Sequence, residues 1–180
     1  TFFGATALYK PSPNQDTPRS YKQRFAAGTA TSSALAQIKA IAEAYERFAS
    51  SSVRVDYVGT SANLCDRWIN PSVVAPLNKE QFQFLPFLQP FSPHKSWEWV
   101  CGEDTITGAP VWVPVDLVFY PLRTETFGRK LCHEASSSGV AAYTSESEAV
   151  KRALLELIER DSVIRNWFAR ESPNQISLQA

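Results

Sequence analysis

Two stretches of the chain carry apolar residues at the three- and four-residue spacing of an amphipathic helix. The first follows Ser32 and Ser33, either of which can cap a helix N-terminus. The second follows Ser145, which precedes Glu148 by three residues as in a capping box, and it ends before Pro173. We therefore predict two long helices, each with one buried apolar face. The predicted buried positions are Leu35, Ile38, Ile41, Ala42, Tyr45, Phe48 and Ala49 in the first helix, and Val150, Ala153, Leu154, Leu157, Ile158, Ile164, Trp167 and Phe168 in the second.

Between these helices, apolar and polar residues alternate with the two-residue period of half-buried strands. This alternation covers residues 53–58, 97–101 and 111–115, and the Thr107-Gly108 turn predicts that the last two segments form a hairpin. Residues 69–95 hold five prolines among aromatic residues, so we expect a long loop there without regular structure. The aromatic residues expected to pack this loop down are Phe82, Phe84, Phe87 and Phe91.

The order helix, strand, hairpin and helix predicts an α+β fold, in which two long helices with acidic flanks lie beside a mainly antiparallel sheet. Residues 1–28 carry three prolines among polar residues, and we expect an extended or mobile N-terminal arm there, followed by one domain over residues 29–180. The chain has no Met and stops abruptly at Ala180, so we interpret it as a fragment or a processed product.

Charge and composition exclude several classes of protein. The 18 basic and 18 acidic residues cancel, which argues against a nucleic-acid surface. No apolar run is long enough to span a bilayer, and the N-terminus lacks the basic region of a signal peptide, so we expect a cytoplasmic protein without a membrane partner. Cys65, Cys101 and Cys132 are widely spaced and form no C-x-x-C pair, so we interpret them as small core residues.

Both predicted helices contain the sequence Glu-x-x-Glu-Arg, at residues 43–47 and again at residues 156–160. Acids three residues apart are neighbours on a helix surface, and two such pairs facing each other need cations to offset their repulsion. On the second helix, Glu148 lies within about 20° of Glu159 around the helix axis. Together with Glu156, these acids lie on one flank of the helix. A divalent metal is the cation that this arrangement favours.

Carboxylates and arginines together suit a metal-bound nucleotide. Mg²⁺ accepts one or two carboxylates together with phosphate oxygens, and Arg47 or Arg160 can form paired hydrogen bonds with phosphate. The chain contains neither the P-loop nor the Rossmann glycine pattern, and neither histidine stands in a Glu-x-x-His pair, which disfavours a di-iron bundle. Cys132 and His133 are adjacent, so their side chains point apart on an extended backbone and a catalytic dyad is not expected.

A structural alternative stays open, in which the acids only form surface ion pairs, such as Lys39 with Glu43 and Arg152 with Glu148 or Glu156. Each pair would contribute about 0.3–0.5 kcal/mol to helix stability. Lys39 precedes Glu43, however, which is the less favourable order for a helical pair. A capping role for Glu148 would also leave the other two acids of that helix unexplained.

Three segments resemble the YcaO family. Residues 137–149 (Ser-Ser-Gly-Val-Ala-Ala-Tyr-Thr-Ser-Glu-Ser-Glu-Ala) with residues 153–161 (Ala-Leu-Leu-Glu-Leu-Ile-Glu-Arg-Asp) resemble its signature. Residues 42–47 (Ala-Glu-Ala-Tyr-Glu-Arg) resemble its earlier acidic helix. Residues 161–170 are most similar to members that form azolines on peptides.

The resemblance implies an enzyme that activates a peptide backbone amide with ATP and Mg²⁺, forming azolines from Cys, Ser or Thr in a ribosomally made peptide. Its implied partners are a precursor peptide, a leader-peptide-binding protein and a second copy of the chain. The implied cofactor-binding residues are Glu43, Glu46, Glu148, Glu156, Glu159 and Arg160, of which Glu46, Glu148 and Glu159 would be the metal ligands. Family members continue for about as long again after the signature, so the resemblance implies that residues 29–180 are the N-terminal part of a YcaO-like domain whose C-terminal half is absent. No catalytic residue is predicted, and we expect the fragment alone to be inactive.

Three positions depart from the family pattern and motivate an alternative function. Lys39 stands where the family usually has Ser, Thr144 stands where Asn or His is common, and residues 28–30 read Gly-Thr-Ala in place of Gly-Lys-Gly. The alternative is a non-catalytic YcaO-like scaffold that recruits a precursor peptide or a partner enzyme.

Overall fold

A computed structural model describes residues 1–9, 24–122, 127–170 and 172 of the chain. They form two compact units, Thr1–Ser137 and Ser138–Ala180, which we describe one at a time. The strands are β1 (Phe3–Tyr9), β2 (Arg24–Ala30), β3 (Tyr57–Gly59), β4 (Trp97–Glu103) and β5 (Pro110–Pro114). The helices are α1 (Ser33–Ser51), α2 (Pro71–Val74), α3 (Lys79–Phe84), α4 (Val115–Val118) and α5 (Glu146–Ala169). The predicted α+β class with antiparallel strand pairing is confirmed.

The first sheet pairs β1 with β2 in antiparallel register, from Phe3 opposite Ala30 to Tyr9 opposite Arg24. This sheet packs against α1, whose N-terminus is capped by the Ser32 hydroxyl, as the sequence predicts. β1 and part of β2 fall in the segment expected to be an extended or mobile arm, and residues 3–9 and 24–28 form paired strands there. The expectation came from the prolines at positions 11, 13 and 18, which lie outside the described residues.

Small residues make the contact between α1 and β2. The buried positions are Ala36, Ala40 and Ala44 on the helix and Ala26, Gly28 and Ala30 on the strand. The two backbones lie so close that a Cβ atom at Gly28 would overlap the carbonyl oxygen of Ala36 and lie 2.7 Å from Cβ of Lys39. Glycine is therefore required at this position for steric reasons.

The predicted buried face of α1 was wrong, since its large residues are exposed and a row of alanines is buried instead. Ile38, Ile41 and Tyr45 are 61%, 63% and 67% exposed. The physical reason is that small side chains let a helix and a strand approach more closely, which increases dispersion contacts along both backbones. Periodicity identified the helix but not which of its faces packs against β2.

The second unit contains α5, which begins and ends where the sequence predicts. Ser145 has the extended backbone of an N-cap residue, but its side chain makes no capping hydrogen bond, so the expected capping box is absent. None of the residues of α5 is buried, although eight were predicted to be, and Trp167 and Phe168 are about four-fifths exposed.

The second sheet has the order β3, β4, β5, and its β4–β5 hairpin confirms the predicted one. β3 is shorter than residues 53–58 suggested. Trp97 and Trp99 of β4 form the centre of the core, and the ring of Phe91 stacks on Trp97 with 5.3 Å between centroids.

The proline-rich segment 69–95 contains the short helices α2 and α3, so the expectation of no regular structure was wrong. Asn70 and Asn78 cap them by accepting backbone N–H bonds, a signal that we did not use. Phe84 is 82% exposed and Leu88 is buried, so Phe84 does not pack this segment down as expected. No helix within the described part of the chain combines the length and apolarity needed to cross a bilayer.

A buried ionic network joins β4, α4 and the segment after residue 127. Both terminal nitrogens of Arg129 donate to the Asp116 carboxylate at 3.0 Å, Arg129 also binds Glu98, and its guanidinium lies 4.5 Å from the Trp97 ring centroid. Burial alone would lower the pKa of Arg129, but hydrogen bonds and charges from Asp116 and Glu98 outweigh it and raise that pKa. The network therefore gives the fully buried Asp116 carboxylate a guanidinium partner.

Replacing Asp116 should destabilise the protein strongly, because the mostly buried guanidinium of Arg129 then loses the carboxylate that binds both of its terminal nitrogens. Asp116→Asn is expected to lower the free energy of unfolding by about 3 kcal/mol in urea denaturation. Asp161→Asn is the control, because Asp161 is 59% exposed and pairs with Arg165 four residues along α5. It should cost about 0.5 kcal/mol or less, and equal losses in both variants would contradict the role of the network.

The two glycines of the first sheet provide a matched test of the helix–strand contact. Gly28→Ala should lower the free energy of unfolding by about 2 kcal/mol, since the added methyl group forces α1 away from β2. Gly4→Ala meets no atom within 4 Å and should leave stability unchanged or slightly increased. Thermal or urea unfolding measures both, and a neutral Gly28→Ala variant would show that α1 does not lie this close to β2.

Candidate functional site

The first acidic motif holds the open edge of β2. Glu43 accepts a hydrogen bond from the backbone N–H of Ala27 through Oε2 at 2.9 Å, and one from Arg47 through Oε1 at 3.4 Å. One turn earlier, Lys39 donates from Nζ to the carbonyl oxygen of Thr29 at 3.0 Å. Lys39 is thus bound to backbone, and the ion pair that we considered between Lys39 and Glu43 is replaced by one between Glu43 and Arg47.

Glu46, the second acid of this motif, is partly buried one turn further along α1. It was predicted from the resemblance as a metal ligand, and that role stays a prediction.

The second acidic motif holds the loop that precedes α5. Glu156 accepts a hydrogen bond from the backbone N–H of Gly139 through Oε2 at 3.3 Å, and one from Arg160 through Oε1 at 2.7 Å. Gly139 has a φ of +78°, which favours glycine, and its position lies against the side chain of Leu157. The same loop is held a second time where the guanidinium of Arg152 stacks 4.4 Å from the Tyr143 ring centroid.

A shallow, open groove of about 360 Å³ lies along one exposed face of α5 and is lined by Glu156, Glu159, Arg160, Val163 and Ile164. Among the residues that the structure describes, no group bonds to the Glu159 carboxylate, which is exposed at the groove. Glu148 pairs with Lys151 at 3.4 Å, while Arg152 stacks on Tyr143 in place of the ion pair with Glu148 considered above.

The donor chemistry of this groove fits a metal-bound nucleotide. Carboxylate oxygens are the ligands that Mg²⁺ prefers, a guanidinium suits phosphate, and Val163 with Ile164 provides an apolar wall. Across residues 1–9, 24–122, 127–170 and 172, no three His, Cys, Asp or Glu side chains are grouped as a ready metal site. Convergence of Glu46, Glu148 and Glu159 on one ion stays a prediction.

Cys132 and His133 do not form an activated pair. Cys132 is buried, and its backbone N–H donates to Asp116 at 2.6 Å. Burial and the Asp116 charge raise the pKa of the Cys132 thiol far above its usual value, whereas burial lowers the pKa of His133 despite nearby Asp116 and Glu134. Cys65 is exposed, so its expected place in a core was wrong.

Sequence reasoning missed the hydrogen bonds from Ala27 and Gly139 to the motif acids. Backbone N–H groups carry no residue signature, so a motif search cannot find them. The sequence offered one signal, a glycine near each donor. Gly28 follows the donor Ala27, and Gly139 is itself the donor.

The protonated state of the Cys132 thiol gives a direct test of its environment. Only thiolates react readily with iodoacetamide, so the native protein at pH 8 should be alkylated at Cys65 while Cys132 stays unmodified. Unfolding in guanidinium chloride should make Cys132 reactive as well. Mass spectrometry of the peptides measures each site, and rapid native labelling of Cys132 would contradict this description.

Comparison with known proteins places these features in context. The model of one protein family, described as YcaO cyclodehydratase, ATP- and Mg²⁺-binding, matches residues 27–180. A comparison with curated proteins gives no match.

Several solved structures share the fold. YcaO from Methanopyrus kandleri, bound with AMPPCP and Mg²⁺, is 24% identical with a TM-score of 0.66, and the match covers 100% of this chain and 42% of that protein. A heterocyclase in complex with substrate and cofactor is 23% identical with a TM-score of 0.67, covering 83% of this chain and 21% of that one. The heterocyclase TruD is 24% identical with a TM-score of 0.61, covering 72% and 20%. The chain thus spans less than half the length of each.

Proposed function

Because the chain belongs to the YcaO family, we propose that the whole protein uses ATP and Mg²⁺ to activate a peptide backbone amide. In the proposed reaction, a Cys, Ser or Thr side chain of the substrate adds to the amide carbonyl, and the resulting oxygen takes the terminal phosphate of ATP. Departure of that phosphate, together with loss of the amide N–H proton, would leave an azoline ring, with ADP and phosphate as the other products. The substrate would be a ribosomally made precursor peptide in the cytoplasm, delivered by a leader-peptide-binding partner.

The repeated contact pattern of the two motifs is the observation that carries this proposal. In each motif, the first acid accepts a backbone N–H and pairs with the arginine four residues later. The second motif also borders a groove that combines carboxylate, guanidinium and apolar side chains. These are the side chains that a Mg²⁺-bound nucleotide needs, and the fold is that of a YcaO protein bound with AMPPCP and Mg²⁺.

We assign roles to the acidic residues on this basis. Glu46, Glu148 and Glu159 would bind Mg²⁺, which neutralises phosphate charge when bound. Glu43, Glu156 and Arg160 would complete the nucleotide site, where the Arg160 guanidinium would bind a phosphate oxygen. The chain contributes mainly by orienting the nucleotide and offsetting charge, as in other phosphoryl transfers.

A substitution at Glu159 tests the metal role in the complete protein. Glu159→Gln should lower Mg²⁺-dependent ATP consumption about 100-fold or more, because an amide oxygen cannot replace the charge of a carboxylate ligand. Glu146→Gln is the matched control, since Glu146 lies in the first turn of the same helix and has no assigned role. Phosphate release measures both, and unchanged turnover in Glu159→Gln would remove Glu159 from the site.

The scaffold alternative draws support from Lys39, whose side chain is used to hold the backbone of β2 at Thr29. A scaffold would bind the precursor peptide or a partner enzyme without Mg·ATP. Calorimetry on the complete protein separates the two functions, since Mg·ATP binding supports the enzyme and its absence, with peptide binding retained, supports the scaffold.

A further inference from the structure

We propose that Lys39 is a phosphate-binding residue of the nucleotide site, and that it replaces the lysine which the family pattern has at position 29. Two departures from that pattern are then one exchange, in which an ammonium and a hydroxyl group have changed places between α1 and β2. The phosphate contact rests on the proposed function, whereas the proximity of the two positions stands on the structure alone.

Positions 29 and 39 meet at the open edge of β2. The Lys39 ammonium donates to the backbone carbonyl oxygen of Thr29 at 3.0 Å. The helix and the strand are in close contact here, because a Cβ atom at Gly28 would lie 2.7 Å from Cβ of Lys39. The Thr29 side chain is exposed, so a longer side chain at that position would also have room along this edge. An ammonium can therefore reach the edge from either position.

The residue types at these two positions support an exchange. The family pattern has Lys at position 29 and usually Ser at position 39, whereas this chain has Thr29 and Lys39. Each arrangement contains one ammonium and one hydroxyl, in interchanged positions. Two unrelated losses would not be expected to leave the same pair of functional groups at neighbouring positions. This weakens two of the three grounds for the scaffold alternative.

The Lys39 ammonium is exposed and has donors to spare. Of its three N–H groups, one is used by the Thr29 carbonyl oxygen. Within the described ranges of the chain, Lys39 has no ion-pair partner, since the neighbouring acid Glu43 pairs with Arg47. A lysine whose charge is not offset by a carboxylate is suited to bind phosphate as a point charge.

The first acidic motif places a carboxylate beside this ammonium. Glu43, one turn further along α1, binds the same edge of β2 at the N–H of Ala27. Residues 27 and 29 are separated by about 7 Å along an extended strand. A metal-bound nucleotide presents both charges over such a distance, because its phosphates suit the ammonium and its cation suits the carboxylate. The Thr29 carbonyl oxygen would hold the Lys39 side chain in place before the nucleotide binds.

Restoring the family arrangement tests the exchange in the complete protein. Lys39→Ser should raise the dissociation constant for Mg·ATP about 10-fold in calorimetry, because a charge-assisted contact with phosphate is lost. Adding Thr29→Lys to this variant should return the constant to within about threefold of wild type. Lys79→Ser is the control for loss of one positive charge, since Lys79 begins α3 and has no assigned role. It should leave the constant unchanged.

A second substitution separates the phosphate contact from a structural role of Lys39. The amide of Lys39→Gln can still donate to the Thr29 carbonyl oxygen but carries no charge. We expect this variant to keep the free energy of unfolding of wild type in urea, measured without nucleotide, and to bind Mg·ATP about 10-fold more weakly.

The outcomes distinguish this proposal from the proposed function. Wild-type affinity for Mg·ATP in Lys39→Gln would overturn the phosphate contact and leave the proposed function in place. A double variant that binds no better than Lys39→Ser would overturn the exchange. A wild-type protein that binds no Mg·ATP would overturn the phosphate contact together with the proposed function.

Discussion

The close approach of α1 to β2 sets the geometry of the first acidic motif. A glutamate side chain is short, and it reaches the N–H of Ala27 only because an alanine face on the helix meets Gly28 on the strand. Larger residues in this contact would hold the helix further from the strand and take the carboxylate out of hydrogen-bonding range. The packing of small residues between α1 and β2 therefore determines where the Glu43 carboxylate lies.

In the second unit, the position of the first motif acid also depends on a glycine. A glycine with positive φ lets the loop turn its N–H toward Glu156, and the adjacent Leu157 occupies the space that a side chain at position 139 would need. In both units, a glycine lies at or beside the donor, and the first acid of the motif accepts the bond. The motif and its glycine form a structural pair, although about 16 residues separate them in sequence.

The sequence predicted some parts of this structure well and others poorly, for identifiable reasons. The ends of α1 and α5 and the β4–β5 hairpin followed from capping residues, periodicity and turn residues, which act locally. The buried faces did not follow, because periodicity favours burial of large apolar residues and cannot weigh the closer packing that alanine allows. Exposed large apolar residues grouped along a helix face are typical of surfaces that contact further protein.

The same distinction between local and fold-dependent features applies to the candidate site. Its acids and arginines could be found from sequence because side-chain chemistry and spacing identify them. Their hydrogen bonds to Ala27 and Gly139 could not, since every residue other than proline offers the same N–H and only the fold selects the donor. The buried pair of Asp116 and Arg129 was missed because neither residue belongs to a recognisable motif, and only the fold brings the two side chains together.

Charge balance explains why a motif for nucleotide binding would contain both two acids and an arginine. Two carboxylates one turn apart repel each other and would also repel a polyphosphate. In the second motif, Glu156 pairs with Arg160, and no described group engages the Glu159 carboxylate. A divalent cation at Glu159, as proposed, would keep most of its positive charge for phosphate oxygens, because a single carboxylate offsets only part of it.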